Sequence, residues 1–323
     1  WVRAPEESLK APLSFRFWGF IFTHRRPNNF VKLIRFLFKT LLFLLLFGFL
    51  ILLTGDFYWK ERFRNYSTYN DKALIIAHRG ASGQAPENTL AAIKLALDQK
   101  ADMIEIDVFL TQDEQLVVLH DETVDRTTNG QGLIEAMTLD EVKKLDAGSW
   151  FSDKYRGEKI PTLAEVLQMV QGKAQLLIEI KKSGRGITQK VAAIVKAHQA
   201  TPWCVIQSFD PQVAVRLHEL KAPLERHQLV IGNFPLFLPY HYHKALGKGK
   251  ITQYQKVQAI NSMYLFTTKN LIDRIHRQKQ RIFVWTVNHP KDMRKLLQMG
   301  VDGLITNFPD QASAVKNALR KIN

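Results

Sequence analysis

An α/β architecture, closed into a (β/α)8 barrel of the TIM-barrel type, is predicted by two features of the 323-residue chain. First, eight short apolar runs rich in β-branched residues alternate with helix-type segments through residues 73–323. An alternation of this kind over roughly 250 residues is typical of that barrel. Second, several of the runs end in titratable side chains, which are poor core material but suit a site at the mouth of a barrel.

The predicted elements follow one another in chain order, strand and helix by turns. Strands are expected at residues 73–79, 103–109, 175–181, 203–209, 227–232, 259–265, 281–287 and 301–306. Helical stretches are expected between them at residues 88–99, 187–199, 211–221, 269–280, 290–299 and 311–321. This order gives the full set of eight strands that a (β/α)8 barrel requires.

One segment interrupts the alternation and predicts a small hairpin insertion after the second strand. Two apolar runs surround a polar turn in residues 108–120, which is the pattern of a β-hairpin. Pairing Leu110 with Gln115 would place Glu105 opposite His120. The return strand should therefore bring this histidine back beside the carboxylates of the second strand.

The N-terminal part of the chain has the composition of a membrane anchor. Residues 41–53 are all uncharged and apolar, and the stretch extends to 33–55 with only Arg35 and Lys39 interrupting it. A bilayer needs roughly 20 residues of helix, and charges near a helix end can reach the headgroups. Aromatic residues 57–59 follow, as at a membrane interface. A buried core helix and a cleaved signal peptide are the alternatives, but a single transmembrane helix over 33–55 is favoured.

Four parts are therefore expected: a basic, aromatic N-terminal segment, a transmembrane helix, a polar linker and the barrel domain, at residues 1–32, 33–55, 56–72 and 73–323. Six Lys or Arg residues lie at positions 16–39 and four at positions 60–72. Under the positive-inside rule this excess of positive charge before the helix favours an N-terminus on the cytoplasmic side. The predicted localisation is a single-pass membrane protein with an N-terminal anchor and an extracytoplasmic barrel.

The charge of the chain limits the classes of partner. The formal net charge of +15 suits phosphate-bearing substrates, anionic lipid surfaces or nucleic acid. The sequence has no helix-turn-helix, zinc-finger or RNA-recognition signature, so nucleic acid is the disfavoured partner. The single cysteine, Cys204, excludes an internal disulfide framework and a cysteine metal cluster. The oligomeric state is left open by the sequence.

Three carboxylates are predicted to converge at the barrel mouth. Glu105 and Asp107 are two positions apart, so on a strand they point to the same face. Glu179 ends the next barrel strand in the same way. Three carboxylates at one place would repel one another unless a cation neutralises them, although a surface salt bridge explains any one of them singly. An all-oxygen set favours Ca²⁺ or Mg²⁺ over Zn²⁺.

Two histidines and two cationic side chains stand at neighbouring strand ends. His78 and His120 could act as general base and general acid, because an imidazole titrates near neutral pH. Metal ligation by both histidines is the open alternative. Arg79 and Lys181 supply fixed positive charge for phosphate oxygens that gain charge during a reaction.

These residues belong to an ordered set of short motifs that carry a family resemblance. The motifs are His78-Arg79-Gly80, Pro86–Thr89, Glu105-Ile106-Asp107, His120-Asp121, Asp125–Gly130, Ile160–Leu163, Glu179-Ile180-Lys181, Trp285–Asn288 and Asp302–Asn307. In order and spacing they closely resemble the glycerophosphodiester phosphodiesterase family. The resemblance extends from residue 73 to the C-terminus.

The resemblance implies a TIM barrel with a small inserted hairpin region. It also implies a divalent cation, usually Ca²⁺ or Mg²⁺, held by Glu105, Asp107 and Glu179. His78 and His120 match the two histidines that carry acid–base catalysis in such enzymes. Which of them is the acid and which the base is left open.

Further roles follow from the same resemblance. Arg79 and Lys181 match the positions that contact phosphate. Asn88 is expected to cap the first helix, and Glu87 to hold Arg79 in place. Trp285 is expected to line the pocket against the glycerol or the leaving group, with a core role as the alternative.

The implied reaction is the metal-dependent hydrolysis of a glycerophosphodiester to sn-glycerol 3-phosphate and a free alcohol. A lysophospholipase D that acts on lysophospholipids is the alternative, because the predicted anchor and an aromatic stretch at 234–243 depart from the family pattern and point to membrane lipids as partners. A catalytically silent lipid-binding barrel is a remote alternative, against which the complete set of histidines and carboxylates argues.

Overall fold

The chain forms a closed barrel of eight parallel strands in a computed structural model that describes residues 36–48, 68–231 and 257–322. Together with one hairpin strand, β3, the strands are β1 (Leu74–Ala77), β2 (Met103–Leu110), β3 (Leu116–Val118), β4 (Gln175–Ile180), β5 (Cys204–Ser208), β6 (Glu225–Val230), β7 (Ala259–Met263), β8 (Arg281–Trp285) and β9 (Gly303–Thr306). β1 pairs in parallel with both β2 and β9, which closes the barrel. The predicted (β/α)8 barrel is confirmed, strand by strand.

Helices follow the strands as predicted. In the described residues they are α1 (36–48), α2 (Leu90–Asp98), α3 (Leu139–Lys144), α4 (Leu163–Val170), α5 (Ile187–Ala197), α6 (Pro211–Glu219), α7 (Lys269–Arg277), α8 (Pro290–Gln298) and α9 (Pro309–Arg320). Backbone contacts divide the chain into two units, 1–64 and 65–323, and the barrel is the second. Thr138 and Thr162 begin α3 and α4 with capping boxes, in which side chain and backbone satisfy each other's hydrogen bonds.

The period of two along each strand separates the barrel interior from its helical coat. Outward-facing residues pack against the helices in two large apolar clusters. The interior apolar layer consists of Ile76, Met103, Leu177, Val205, Ala259, Phe283 and Ile305. Glu105 and Asp107 lie two and four positions after Met103, so they share the interior face. The strand alternation therefore places these carboxylates next to an apolar layer at the carboxyl ends of the strands.

The hairpin after β2 is present, but the predicted pairing of Leu110 with Gln115 is wrong by one residue. Leu110 pairs with Leu116. The turn is longer than predicted because the Thr111 carbonyl accepts the Glu114 N–H at 3.1 Å and Glu114 adopts a left-handed φ of 62°. This is the three-residue loop in which a left-handed residue follows a type I turn. The predicted position of Glu105 opposite His120 is therefore also shifted by one residue.

Helix α1 lies within the predicted membrane anchor. Its large apolar side chains are between 46 and 66% exposed. In the described part of the chain, no helix combines the length and the hydropathy needed to cross a bilayer. The predicted span 33–55 extends beyond α1 at both ends, and those flanking residues lie outside the described ranges. The same is true of the predicted segment 1–32, of linker residues 56–67 and of the aromatic stretch 234–243.

Gly80, directly after His78 and Arg79, is constrained in two ways. Its φ is +79°, and a Cβ there would lie 2.6 Å from the Ala92 carbonyl carbon. Gly157 offers a matched control, because its φ is +90° and a Cβ would meet nothing within 4 Å. We expect Gly80→Ala to lower the free energy of unfolding by about 1–3 kcal/mol more than Gly157→Ala, since only the first adds a backbone clash to an unfavourable φ. Urea unfolding measures the difference, and equal losses would contradict the clash.

Candidate active site

The predicted site residues come together at the carboxyl ends of the barrel strands. His78 and Arg79 follow β1, Glu105 and Asp107 lie on β2, and Glu179 and Lys181 end and follow β4. His120 returns to the same place from the hairpin strand β3, since the Leu119 N–H donates to the Asp107 carbonyl at 3.0 Å. This face is where the active sites of (β/α)8 barrels lie.

Three carboxylates form the centre of this face. Glu105, Asp107 and Glu179 each offer an oxygen within 4.8 Å of the others, and all three are buried. Burial raises the pKa of Glu105 well above its ordinary value, and the charges of Asp107 and Glu179 raise it further. The pKa of Glu179 is raised by burial and by Asp107, against the opposing effect of Lys181. Two of the three carboxylates therefore resist ionisation unless more positive charge is supplied.

The third carboxylate remains charged. Burial alone would raise the pKa of Asp107, but Lys181 and Arg79 outweigh it and lower that pKa. Lys181 Nζ lies 2.8 Å from Glu179 Oε1 and 3.3 Å from Asp107 Oδ1. Arg79 Nε lies 3.3 Å from the other oxygen of Asp107, and its Nη1 donates to Glu87 at 2.8 Å. The predicted contact between Glu87 and Arg79 is thereby confirmed.

These carboxylates fit a hard divalent cation. Glu105 is oriented by the Arg79 N–H at 2.9 Å and by the Gln207 amide at 3.1 Å, so each of its oxygens accepts one hydrogen bond. Asp107 Oδ1 is buried and forms an ion pair with the Lys181 ammonium at 3.3 Å. Three buried carboxylates that offer only oxygen ligands, within 4.8 Å of one another, match the ligand chemistry of Ca²⁺ and Mg²⁺.

Asn88 does not have the predicted role of helix cap. Thr89 caps α2 instead, accepting the Ala92 N–H. Asn88 adopts a left-handed φ of 59° and turns its side chain onto Asp107. Its Nδ2 donates to Asp107 Oδ2 at 2.8 Å, and its Oδ1 accepts the Asp107 backbone N–H at 3.2 Å. Asn88 thus fixes the carboxylate, a role that depends on a contact between the loop after β1 and the neighbouring strand β2.

The two histidines are held by similar hydrogen bonds. His78 Nδ1 donates to Asn307 Oδ1 at 2.7 Å, and His120 Nδ1 donates to Asp121 Oδ1 at 2.5 Å. Because each partner atom is an oxygen acceptor, each imidazole carries its proton on Nδ1 and keeps Nε2 for a reacting group. Burial and the Arg79 charge lower the pKa of His78 to about 4. Burial also lowers the pKa of His120, against the opposing effects of Asp107 and Asp121.

Asn307 and Asp121 were not among the predicted site residues. Asn307 follows the last barrel strand directly, in the same position relative to β9 that His78 has relative to β1. Asp121 is the neighbour of His120 in the sequence. Both positions carried a usable signal, because polar residues at strand ends of a barrel gather at one face.

Trp285 lies at the end of β8 and is linked to the carboxylates through a polar chain. Its indole Nε1 donates to the Asn261 carbonyl at 2.9 Å, and its ring meets Phe209 edge-on at 5.6 Å. The Asn261 amide donates to Gln207 at 2.6 Å, and Gln207 in turn donates to Glu105. Trp285 is half-buried, which leaves part of the ring free at the barrel mouth.

A (β/α)8 barrel that gathers three buried carboxylates, two histidines and two fixed cations at its strand ends has the layout of a phosphoester-hydrolysing enzyme. Residues 78–311 match the profile of the glycerophosphoryl diester phosphodiesterase family, and the chain belongs to that family. It is an enzyme of the phosphoric diester hydrolase class, as its sequence motifs predicted.

Relatives and solved structures agree with this assignment. The chain is 41% identical to the YhdW protein of Bacillus subtilis, with 73% of this chain and 95% of YhdW covered. It is 40% identical to a glycerophosphodiester phosphodiesterase of Caldanaerobacter subterraneus, with 74 and 96% covered. A phosphodiesterase of Oleispira antarctica, solved in complex with its product sn-glycerol-3-phosphate, is 29% identical and superposes with a TM-score of 0.65 over 76% of this chain and 96% of that one.

Proposed function

We propose that the protein hydrolyses glycerophosphodiesters to sn-glycerol 3-phosphate and a free alcohol and that the reaction depends on a divalent cation. The observation that carries the proposal is the buried group Glu105, Asp107 and Glu179 at the barrel face where His78 and His120 also lie. The product named in the Oleispira antarctica complex supports the glycerophosphate part of the substrate.

Glu105, Asp107 and Glu179 would hold the cation, Ca²⁺ or Mg²⁺, which when bound polarises the phosphate and lowers the cost of charge on its oxygens. Burial raises the pKa of Glu105 and Glu179, and a bound cation would favour their ionised forms. The ion pairs that Arg79 and Lys181 make with Asp107 keep both side chains protonated beside the site. These cations are available to the non-bridging oxygens of the diester.

The histidines supply the proton transfers. One imidazole accepts at Nε2 the proton of the attacking hydroxyl, from water or from the vicinal hydroxyl of the substrate glycerol. The other imidazole takes up a proton from solvent at Nε2 before the reaction, and as an imidazolium it gives that proton to the leaving alcohol. Where the glycerol hydroxyl attacks, water then opens the cyclic phosphodiester. The hydrogen bonds to Asn307 and Asp121 hold both rings in one tautomer, so that Nε2 is the reacting nitrogen on each. Trp285, with part of its ring free, offers an apolar wall for the glycerol or the leaving group.

We expect His78→Ala and His120→Ala each to lower turnover of glycerophosphocholine by roughly 10²–10⁴-fold, because each removes one acid–base group. Steady-state kinetics and far-UV circular dichroism check the result, since the fold should be retained. His218→Ala, at an exposed position on α6, is the matched control and should leave turnover unchanged. Near-normal turnover in either site variant would exclude that residue as a proton carrier.

We expect exhaustive treatment with EDTA, followed by dialysis, to abolish activity, and Ca²⁺ or Mg²⁺ to restore it. The reason is that the three buried carboxylates provide hard oxygen ligands and no soft ligand. Activity of the chelated protein, before and after addition of each cation, is the measurement. Full activity after chelation would contradict the metal assignment.

The same proposal includes a single-pass membrane location with the catalytic domain on the extracytoplasmic side. Its supports are the apolar composition of residues 33–55, the exposed apolar side chains of α1 and the excess of positive charge before the span. An anchor of this kind also supports lysophospholipids as a second substrate class, in which an acyl chain is retained during the same diester cleavage.

We expect the full chain to remain with the membrane fraction after carbonate extraction, and a variant with Leu42, Phe43, Leu44 and Leu45 changed to Gln to be released. Polar side chains at these positions would make burial of the helix in hydrocarbon unfavourable. Protease added to intact cells reports the orientation. Release of the unaltered chain by carbonate would contradict the anchor. The second substrate class would be favoured if the variant lost more activity on lysophospholipids than on glycerophosphodiesters.

A further inference from the structure

We propose that Arg126, in the insertion after β2, is a positioning residue that joins the two sides of the active site. The inference rests on the proposed function, because it concerns how the same site is held in its reactive geometry. The Arg126 guanidinium uses all three of its nitrogens. Nε donates to Asp121 Oδ2 at 2.6 Å, Nη1 to Glu87 Oε2 at 2.9 Å and Nη2 to Glu87 Oε1 at 2.7 Å.

Each carboxylate that Arg126 binds is itself bonded to a site residue. Glu87 Oε1 also accepts from Arg79 Nη1 at 2.8 Å. Asp121 Oδ1 accepts from His120 Nδ1 at 2.5 Å. The result is a chain of alternating charge, Arg79–Glu87–Arg126–Asp121–His120. Its first two members lie in the loop between β1 and α2, and its last three lie in the insertion.

The geometry requires arginine in particular. A guanidinium presents donors on two edges, so it can pair with one carboxylate in a bidentate manner and with another through Nε. A lysine ammonium at the same place is a point charge and cannot fix the orientation of both partners. Hydrogen bonds from Arg126 lower the pKa of Glu87 and of Asp121, against burial that would raise both. Both carboxylates are thereby kept ionised as acceptors for Arg79 and His120.

Arg126 also contributes to stability, so its positioning role needs a separate control. Its side chain is 45% exposed, but a bidentate pair within a charge network stabilises more than an isolated surface pair. A second contact, the hydrogen bond from the Tyr155 hydroxyl to the Gln84 carbonyl at 3.0 Å, also ties the insertion to the loop after β1. That contact does not touch the charge chain. Tyr155→Phe is therefore a matched control for mere attachment of the insertion.

The test compares Arg126→Ala, Arg126→Lys, Asp121→Asn and the double variant Asp121→Asn/Arg126→Ala with Tyr155→Phe, on glycerophosphocholine. We expect Arg126→Ala to lower kcat by about 10–100-fold, because a small displacement of a catalytic group has effects of this order. Guanidinium ion added to this variant should restore part of kcat, whereas Arg126→Lys should remain impaired. The double variant should lose less kcat than the product of the two single losses, since both changes share the path to His120 and only Arg126→Ala also releases Glu87.

A readout without substrate keeps this inference distinct from the proposed function. The His120 Nδ1 proton, held by Asp121, should give a downfield imidazole resonance that is lost in Arg126→Ala and retained in Tyr155→Phe, while that of His78 persists in both. An inactive unaltered enzyme together with this pattern would overturn the proposed function and retain the role of Arg126. An unchanged His120 resonance, or a loss of kcat in Arg126→Ala no greater than in Tyr155→Phe, would overturn the role of Arg126.

Discussion

The burial of three carboxylates within 4.8 Å of one another is the constraint on which the rest of the site depends. Such a group is stable only when its charge is neutralised or its oxygens are bonded, because an unpaired buried charge is costly. Lys181 and Arg79 lower the pKa of Asp107, and donors from Gln207 and the Arg79 backbone hold Glu105. The pKa values of Glu105 and Glu179 remain raised, and this shortage of positive charge in an all-oxygen group defines a place for a cation.

The barrel and its insertion contribute different parts of this arrangement. Parallel strands place Glu105, Asp107 and Glu179 on the interior face at one end of the barrel, next to an apolar layer. The insertion brings His120 to the same end, and the polar residues that follow it in the chain meet the loop after β1 through ion pairs. The rigid scaffold therefore sets the acidic centre, while a chain of charged contacts sets the geometry of one histidine relative to it. The Arg126 side chain can orient its partners although it is partly exposed, because its hydrogen bonds to Glu87 are bidentate.

Most of the fold and of the site was predictable because the relevant signals are local. Each barrel strand is a buried parallel strand and reads as an apolar run, so all eight were found at nearly their observed positions. The eight predicted site residues likewise lie at or near the ends of those runs, and the roles given to them stay predictions. Two errors share a different cause. The hairpin register depended on a left-handed residue, Glu114, that has no distinctive sequence signal, and the role of Asn88 depended on a contact with a carboxylate 19 positions away.

The sequence by itself determined the barrel, the family and the strand-end positions of the proposed reacting groups, because periodicity and strand-end chemistry are properties of neighbouring residues. Only the tertiary structure decided how those groups are oriented. Closure of the barrel brings Asn307 to His78 across 229 positions of sequence, which fixes the tautomer of that imidazole. The meeting of the insertion with the loop after β1 lets Arg126 bridge Glu87 and Asp121. Hydrogen bonds between distant segments depend on distances that only the assembled fold defines, and no spacing along the chain encodes them.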